Sequence, residues 1–209
     1  GAQQRPRANH LSAAFGTKVQ RTCAGLGAAL ALPVLAQTTF PVKPLRMVVS
    51  FPAGGPSDVV ARMLAPRLAE ALGQQVIVEN RAGAGGATGT EFVARSTPDG
   101  HTLALGTIGG ITIAPMLNPK LGYLALRDLA PVTQVVNIAY VLTVHPSVPT
   151  KRTKDIIALA KARPGKLNYG SSGSGTGPHL AGELLKMMAN IQIVHVPYKG
   201  SAPALTALM

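Results

Sequence analysis

Hydrophobic residues in the first half of the chain are arranged in the order of buried strands and amphipathic helices. Residues 45–51 are an almost unbroken apolar run, which is typical of a parallel strand buried on both faces. Apolar positions recur at intervals of three and four in residues 60–72, which predicts a helix packed on that strand. Residues 75–79 and 101–106 predict two more strands, with a short helix around residues 92–94. The order predicts half of a doubly wound α/β sheet.

The pattern changes after residue 129. Residues 132–136 and 140–144 are extended apolar runs with no helix between them, and such a segment can pass from one sheet to another. The elements predicted next are a helix capped by Thr153, a strand at residues 166–169, a helix that contains Leu180 and Leu184, a strand at residues 193–196 and the start of a helix at residues 203–209. These elements predict a second α/β unit.

A turn with two glycines joins the first predicted strand to its helix. It spans residues 52–58, with Ser57 as the predicted N-cap and Asp58 as a negative charge in the first helical turn. Glycine has no side chain, so anions can approach the backbone N–H groups at the helix start. Many such turns bind nothing, so an ordinary turn remains open as an alternative. Pro66 inside this helix predicts a kink.

A second turn of the same design lies in residues 169–178. It follows a predicted strand, it is rich in serine and glycine, and Pro178 falls in the first turn of the next helix. Two such turns predict two lobes that face one ligand.

Other chemistries fit the residues less well. The glycines at positions 83, 85, 86 and 89 miss the dinucleotide-binding spacing. A secreted α/β serine hydrolase that uses Ser172 or Ser174 with His179 is the alternative function, but no serine of this turn lies in a nucleophile elbow. His179 and Glu183 have a spacing that could share a metal, but no third ligand is indicated. We therefore expect no catalytic residue, no metal and no cofactor.

The distribution of charge along the chain does not indicate a nucleic-acid-binding protein. The 209-residue chain has a net charge of +12, of which residues 1–36 contribute four bases and no acid. The bases are scattered singly and do not alternate with aromatic residues, unlike those of a nucleic-acid-binding surface. A basic protein favours acidic partners.

The first 36 residues have the features of a secretory signal peptide. A basic stretch ends at Arg21, an apolar run covers residues 24–35, and small residues precede Gln37. An uncleaved N-terminal anchor is the alternative. Cys23 is the one cysteine of the chain, so a mature protein that starts at Gln37 has no disulfide. We expect the protein in the periplasm.

Several blocks, in a fixed order from about Pro44 to the end, resemble the Bug family of periplasmic solute receptors, which serve tripartite tricarboxylate transporters. The blocks are residues 52–58, 78–86, 96–103, 181–184 and 194–205. The resemblance implies a Venus-flytrap fold of the type II periplasmic binding protein class, with two α/β lobes and no enzyme activity. Pro66 and residues 109–126 depart from the family pattern and could alter the shape of the pocket.

The resemblance also implies domains, ligand and partners. We expect lobe I in residues 37–137 and lobe II in residues 138–209, both incomplete because family members continue further and return to lobe I. The expected partners are a small carboxylate (a di- or tricarboxylate, an amino acid or an aromatic acid) and the membrane subunits of the transporter, with the receptor as a monomer. We expect residues 37–209 alone to be partly unfolded and to bind no ligand tightly.

Ligand contacts are expected between the two turns. The predicted contact residues are Pro52, Gly54, Gly55, Ser57, Asp58, Thr88, Thr107, Ser172, Gly173, Ser174, Thr176 and His179. Two helix N-termini at one site would supply N–H donors and partial positive charge to an anion without a buried arginine.

Overall fold

Strands and helices alternate in the computed structural model, which describes residues 39–209. The predicted signal peptide lies outside the described residues. The strands are β1 (Leu45–Val49), β2 (Val76–Asn80), β3 (Thr102–Leu105), β4 (Asn168–Ser171) and β5 (Val194–Pro197). The α-helices are α1 (Pro56–Leu72), α2 (Ala87–Ala94), α3 (Ala114–Leu117), α4 (Ala125–Asp128), α5 (Thr153–Ala162), α6 (Gly177–Ala189) and α7 (Ser201–Leu208). A π-helical turn, Gly109–Ile113, precedes α3.

The first sheet is parallel, with β1 between β2 and β3. Val48 pairs with Glu79 on one side and with Ala104 on the other. A central parallel strand is covered on both faces, which explains why four of the five residues of β1 are apolar and buried; the fifth, Arg46, is exposed and forms an ion pair with Glu79. The strand–helix order predicted for residues 45–106 is confirmed.

The core of this part lies between β1 and α1. Met47, Val49 and Ala61 are buried there, and Leu64 and Leu68 pack against them. These α1 positions are three or four residues apart, as expected for a helix that buries one face. The sheet and helix together hold the turn between β1 and α1 in place.

The second sheet has two parallel strands, β4 and β5, with α6 as the crossover helix between them. Tyr169 pairs with His195 in this ladder. The predicted second α/β unit is confirmed, although β4 begins two residues later than predicted.

Residues 131–144 form neither helix nor strand. Several of their apolar side chains are exposed, among them Val132 at 84% and Val141 at 79%. The two runs predicted as extended therefore have no strand partner within residues 39–209.

Two predicted helix starts are wrong by one or two residues. The N-cap of α1 is Gly55, and Pro56 takes the first helical position, so Ser57 lies inside the helix. The N-cap of α5 is Arg152, and Thr153 is its first residue. Proline suits the first position because it lacks only an N–H that has no helical partner. Helix α1 runs from Pro56 to Leu72 as one element, with Pro66 inside it.

Candidate functional site

Three junctions between a strand and a helix meet at one place. Residues 50–55 join β1 to α1 and include the start of the first turn, and residues 172–176 join β4 to α6 and form the centre of the second turn. A third junction, residues 198–200, joins β5 to α7. Ligands of open α/β sheets bind outside the carboxyl ends of the strands, which is where these junctions lie.

A cavity of about 90 Å³, here called the turn pocket, lies between the three junctions. Its lining includes Phe51, Pro52, Gly55, Ser57, Thr107, Ile108, Tyr140, Ser172, Thr176, Gly177, Gly200 and Ser201. Within residues 39–209, its lining contains no lysine, arginine, histidine or carboxylate. Polarity in the pocket therefore comes from hydroxyl groups and from the backbone.

Backbone N–H groups are the donors this pocket offers. The first N–H groups of an α-helix have no acceptor in their own helix. Helices α1, α6 and α7 all begin at the pocket, and their early residues Ser57, Gly177 and Ser201 line it. The helix dipoles add partial positive charge at the same place. The arrangement suits a small anion, which would be held without a cationic side chain.

Asp58 does not line the turn pocket, but its hydrogen bonds hold the first turn in place. Its side chain is 4% exposed, and three donors reach its carboxylate, each at 2.9 Å: the N–H of Gly54, the Nε–H of Arg62 and the Nδ2–H of Asn80. The hydrogen bond from Arg62 is the largest reason why the pKa of Asp58 is lowered from 3.8 to about 2. The same amide group of Asn80 also donates to the Phe51 carbonyl at 3.0 Å. Asp58 therefore ties the first turn to the end of β2.

The second turn is held by its own side chains. The Thr176 hydroxyl donates to the Gly173 carbonyl at 2.6 Å, and the Gly173 N–H donates to Ser171 Oγ at 3.1 Å. The Gly175 N–H donates to Nδ1 of His179 at 3.1 Å. These bonds fix the direction of the N–H groups around the start of α6.

A second and larger cavity, about 410 Å³, lies beside the second turn and is called the glycine pocket. Its lining includes residues 82–87, residues 172–175 and Lys199. Gly85 approaches the second turn so closely that a side chain there would collide with the Ser174 carbonyl oxygen. The glycine-rich loop and the second turn are thus in direct contact.

The predicted contact residues divide into three groups. Pro52, Gly55, Ser57, Thr107, Ser172 and Thr176 line the turn pocket. Gly173 and Ser174 line the glycine pocket, which Ser172 also borders. Gly54, Asp58, Thr88 and His179 line neither pocket. In this structure, Gly54, Asp58 and His179 belong to the hydrogen bonds that hold the two turns.

Thr107 differs from the other hydroxyl residues of the turn pocket. Its Oγ1 is shielded from solvent and has no hydrogen-bond partner among the described residues. A buried hydroxyl without a partner is unfavourable, and a ligand atom in the pocket could supply the missing bond.

Sequence reasoning missed the third junction and one wall of the pocket. Residues 200–203 line the turn pocket, and the signal was present, because a helix start was predicted at residue 203 after a strand. Ile138 and Tyr140 also line it, but they come from the segment without regular structure. No local pattern could have placed them there.

The hydrolase alternative lacks its catalytic contact. Nδ1 of His179 is occupied by the Gly175 N–H, and neither Ser172 nor Ser174 bonds to that ring in the described residues. The observed serine–histidine contact joins Ser171 and His195 at 2.7 Å, but Ser171 is buried beneath the turn. A buried hydroxyl is poorly placed to attack a substrate.

Residues 39–209 contain no cluster of three or more potential metal ligands among histidine, cysteine, aspartate and glutamate. His179 Nε2 and Glu183 Oε1 are 4.0 Å apart, and Glu183 is bonded to Tyr169 and Lys186. No described helix has the length and apolar character needed to cross a membrane.

Comparison with known families gives a direct match. Residues 60–209 match the family described as "Tripartite tricarboxylate transporter family receptor". The chain belongs to this family. BugT of Bordetella pertussis, one relative of this chain, is 41% identical over 183 residues, which are 87% of this chain and 56% of BugT. The chain thus spans about half the length of the curated relatives it matches.

Solved structures agree with the family assignment of this chain. The periplasmic binding protein BugD is 35% identical to it, with a TM-score of 0.71 over 81% of this chain and 56% of BugD. The R. palustris protein Rpa4515, solved with adipate, is 37% identical, with a TM-score of 0.78 over 81% of this chain and 56% of Rpa4515. The predicted family and the periplasmic-binding-protein fold are confirmed.

Proposed function

We propose that this protein is a receptor that captures a small carboxylate in the periplasm and delivers it to a membrane transporter of the tripartite tricarboxylate type. One observation carries the proposal: three helix N-termini meet at a pocket whose described lining has no charged side chain. Backbone N–H groups and helix dipoles bind carboxylates, and they do not select for what is attached to the carboxylate.

The match to Rpa4515 with adipate supports the same ligand class. A dicarboxylate could place one carboxylate in the turn pocket and extend its chain past Phe51, which also lines the glycine pocket. We propose that the described residues of both turns contact one ligand and that the receptor works as a monomer without catalysing a reaction. The periplasmic location rests on the family and on the description of BugD as a periplasmic binding protein.

Thermal unfolding of the complete natural protein tests the proposal. The ligand-free protein is mixed with mono-, di- and tricarboxylates, with 1,6-hexanediol as the uncharged match to adipate, and with sugars and nucleotides. At about one hundred times the dissociation constant, a ligand adds about 2.7 kcal/mol to the unfolding free energy and raises the melting temperature by several degrees.

We expect at least one carboxylate to raise the melting temperature and hexanediol to leave it unchanged. Stabilisation by sugars or nucleotides alone would contradict the proposal. The hydrolase alternative is tested in the same preparation with a panel of esters, and it predicts turnover that is lost in Ser174→Ala.

A further inference from the structure

A stack of three aromatic rings lies behind the second turn. The ring centroid of His195 is 4.1 Å from that of His179 and 4.9 Å from that of Tyr169. The rings come from β5, α6 and β4 respectively, so the stack joins the three elements that position this turn. None of the three rings lines either pocket. Their contacts with the turn therefore act on the ligand only through the backbone.

His179 can hold the second turn in only one protonation state of its imidazole. Its Nδ1 accepts the N–H of Gly175, at 3.1 Å. A ring nitrogen accepts a hydrogen bond only when it carries no proton, so this contact requires the neutral imidazole with its proton on Nε2. Gly175 lies between Ser174, which lines the glycine pocket, and Thr176, which lines the turn pocket.

His195 supports the same turn from the other side. Its Nε2 is 2.7 Å from Ser171 Oγ, which in turn accepts the Gly173 N–H at 3.1 Å. The two stacked rings thus hold the amides at positions 173 and 175. Movement of either ring would change the direction of the N–H groups at the start of α6.

Charged and titratable groups face the stack, and they determine which group His179 contacts when it is protonated. Glu183 Oε1 lies 4.0 Å from His179 Nε2, and Glu183 also accepts from the Tyr169 hydroxyl at 2.6 Å and from Lys186 Nζ at 2.8 Å. Burial lowers the pKa of His195. A protonated His179 would present a donor to the Gly175 N–H, which is also a donor, and would be attracted to Glu183 instead.

We propose that His179, supported by His195, is a positioning residue that fixes the second turn for the ligand only while its imidazole is neutral. The proposal rests on the proposed function, because the turn is taken to bind the carboxylate. It predicts that ligand affinity falls on acidification, although a positive charge near an anion would by itself raise it. The direction of the pH dependence therefore distinguishes positioning from direct attraction.

Titration calorimetry with adipate as the probe tests this in the complete natural protein, at about pH 8 and about pH 5.5. His179→Asn keeps an acceptor near the position of Nδ1 and does not titrate, whereas His179→Leu removes the acceptor. We expect His179→Leu to weaken binding roughly tenfold at the higher pH, and His179→Asn to recover most of that loss. When binding requires the loss of one proton, affinity falls by up to about tenfold for each unit of decrease in pH. His179→Asn should not show this fall.

The matched control is His145→Asn, since His145 lies outside both pockets and should keep the pH dependence of the natural protein. Adipate itself gains protons toward pH 5, but that contribution is common to all variants. Affinity that rises on acidification, or an equal pH dependence in His179→Asn, would overturn the proposal.

A second measurement does not depend on the ligand. In NMR spectra of the natural protein, the Gly175 amide signal should move with the same midpoint as the His179 ring signals. A Gly175 amide that does not respond while His179 titrates would overturn the proposal. If no carboxylate binds at the higher pH while Gly175 follows His179, the proposed function fails and the coupling between His179 and the turn stands.

Discussion

At the scale of single residues, Asp58 determines the shape of the first turn. Its buried carboxylate accepts from the backbone of the turn, from the next turn of α1 and from the end of β2. An ion pair that is buried on one side loses much stability when one partner is removed, because the other groups stay unpaired. The residue is therefore structural in this conformation, although it is part of the motif that indicates a ligand site.

Asp58→Asn should lower the free energy of unfolding by about 2–3 kcal/mol, because the amide removes the charge and one acceptor oxygen. The matched control is Asp155→Asn in the first turn of α5, whose carboxylate is more exposed and also pairs with an arginine, Arg152. Because this pair is more exposed, we expect a smaller loss from Asp155→Asn than from Asp58→Asn. Urea unfolding measures both variants. Equal losses in the two variants would show that the hydrogen bonds of Asp58 stabilise the fold no more than those of Asp155.

The lowered pKa of Asp58 also predicts a pH dependence of stability. The folded protein holds this pKa at about 2, against an ordinary value of 3.8. A carboxyl with a lower pKa in the folded state stabilises the fold above its ordinary pKa, and the stabilisation is lost as the pH falls toward the folded value. The stability difference between natural protein and Asp58→Asn should thus shrink from about pH 5 to about pH 2. A difference that stays constant over this range would contradict the assignment.

The sequence predicted the residue types of the site better than their roles. Ser57 and Thr107 line the pocket as predicted, but the site as a whole remains a prediction until a ligand is observed. Asp58 and His179 were expected to touch the ligand, and that expectation stays a prediction; in this structure both bond to the backbone of the turns. A helix-start residue can point toward the ligand or back to its own turn, and sequence spacing does not distinguish these directions.

At the scale of elements, the proposed carboxylate site depends on the backbone donors of helix N-termini rather than on charged side chains. Ser201→Pro compared with Ser201→Ala tests this, because both variants lose the hydroxyl and proline at the first position of α7 also removes one N–H donor. The matched control is Thr153→Pro at the first position of α5, an exposed helix start that lines neither pocket. We expect Ser201→Pro to weaken carboxylate binding about tenfold relative to Ser201→Ala, by loss of one charge-assisted hydrogen bond.

Calorimetric titration of the three variants with a carboxylate that stabilises the natural protein gives the result. If Ser201→Pro binds as well as Ser201→Ala and Thr153→Pro, α7 does not supply a donor, and the third junction is not part of the site.

The order of elements was predictable because apolar residues form a continuous run in a buried strand but recur every three or four positions in a helix. The register of β1 against β2 and β3 places the ends of the strands at the same edge, so the turn was located correctly. The start of α1 was missed because Pro56 takes the first helical position, ahead of the serine that was expected to cap it. Residues 131–144 contain the apolar residues of a strand, yet the described chain offers them no neighbour to pair with.

At the scale of the whole molecule, exposed apolar surface is concentrated in that segment. Backbone groups of residues 131–144 make no backbone hydrogen bond with other described residues, whereas β1 is paired on both sides and Val48 and Val49 are fully buried. Local stability follows burial and hydrogen bonding. In the 209-residue chain, the amides of residues 132–144 should exchange with solvent orders of magnitude faster than those of β1.

Hydrogen exchange followed by mass spectrometry measures this difference. Slow exchange in residues 132–144 would mean that the segment has a partner in solution. Fast exchange throughout β1 would contradict the predicted difference and would show that the isolated chain is partly unfolded. The lobe boundary near residue 137 remains a prediction, since the boundary lies within the segment without regular structure.

The central claim is that a carboxylate binds at the turn pocket through helix N-termini, and NMR amide mapping of the complete natural protein tests it most directly. Adipate, or the carboxylate that gives the largest thermal shift, is titrated into labelled protein, with hexanediol as the uncharged control. We expect the amide signals of Ser57, Gly177 and Ser201 to shift most and the Thr153 amide signal not to shift. Largest shifts at residues distant from the three junctions, or equal shifts with hexanediol, would contradict the claim.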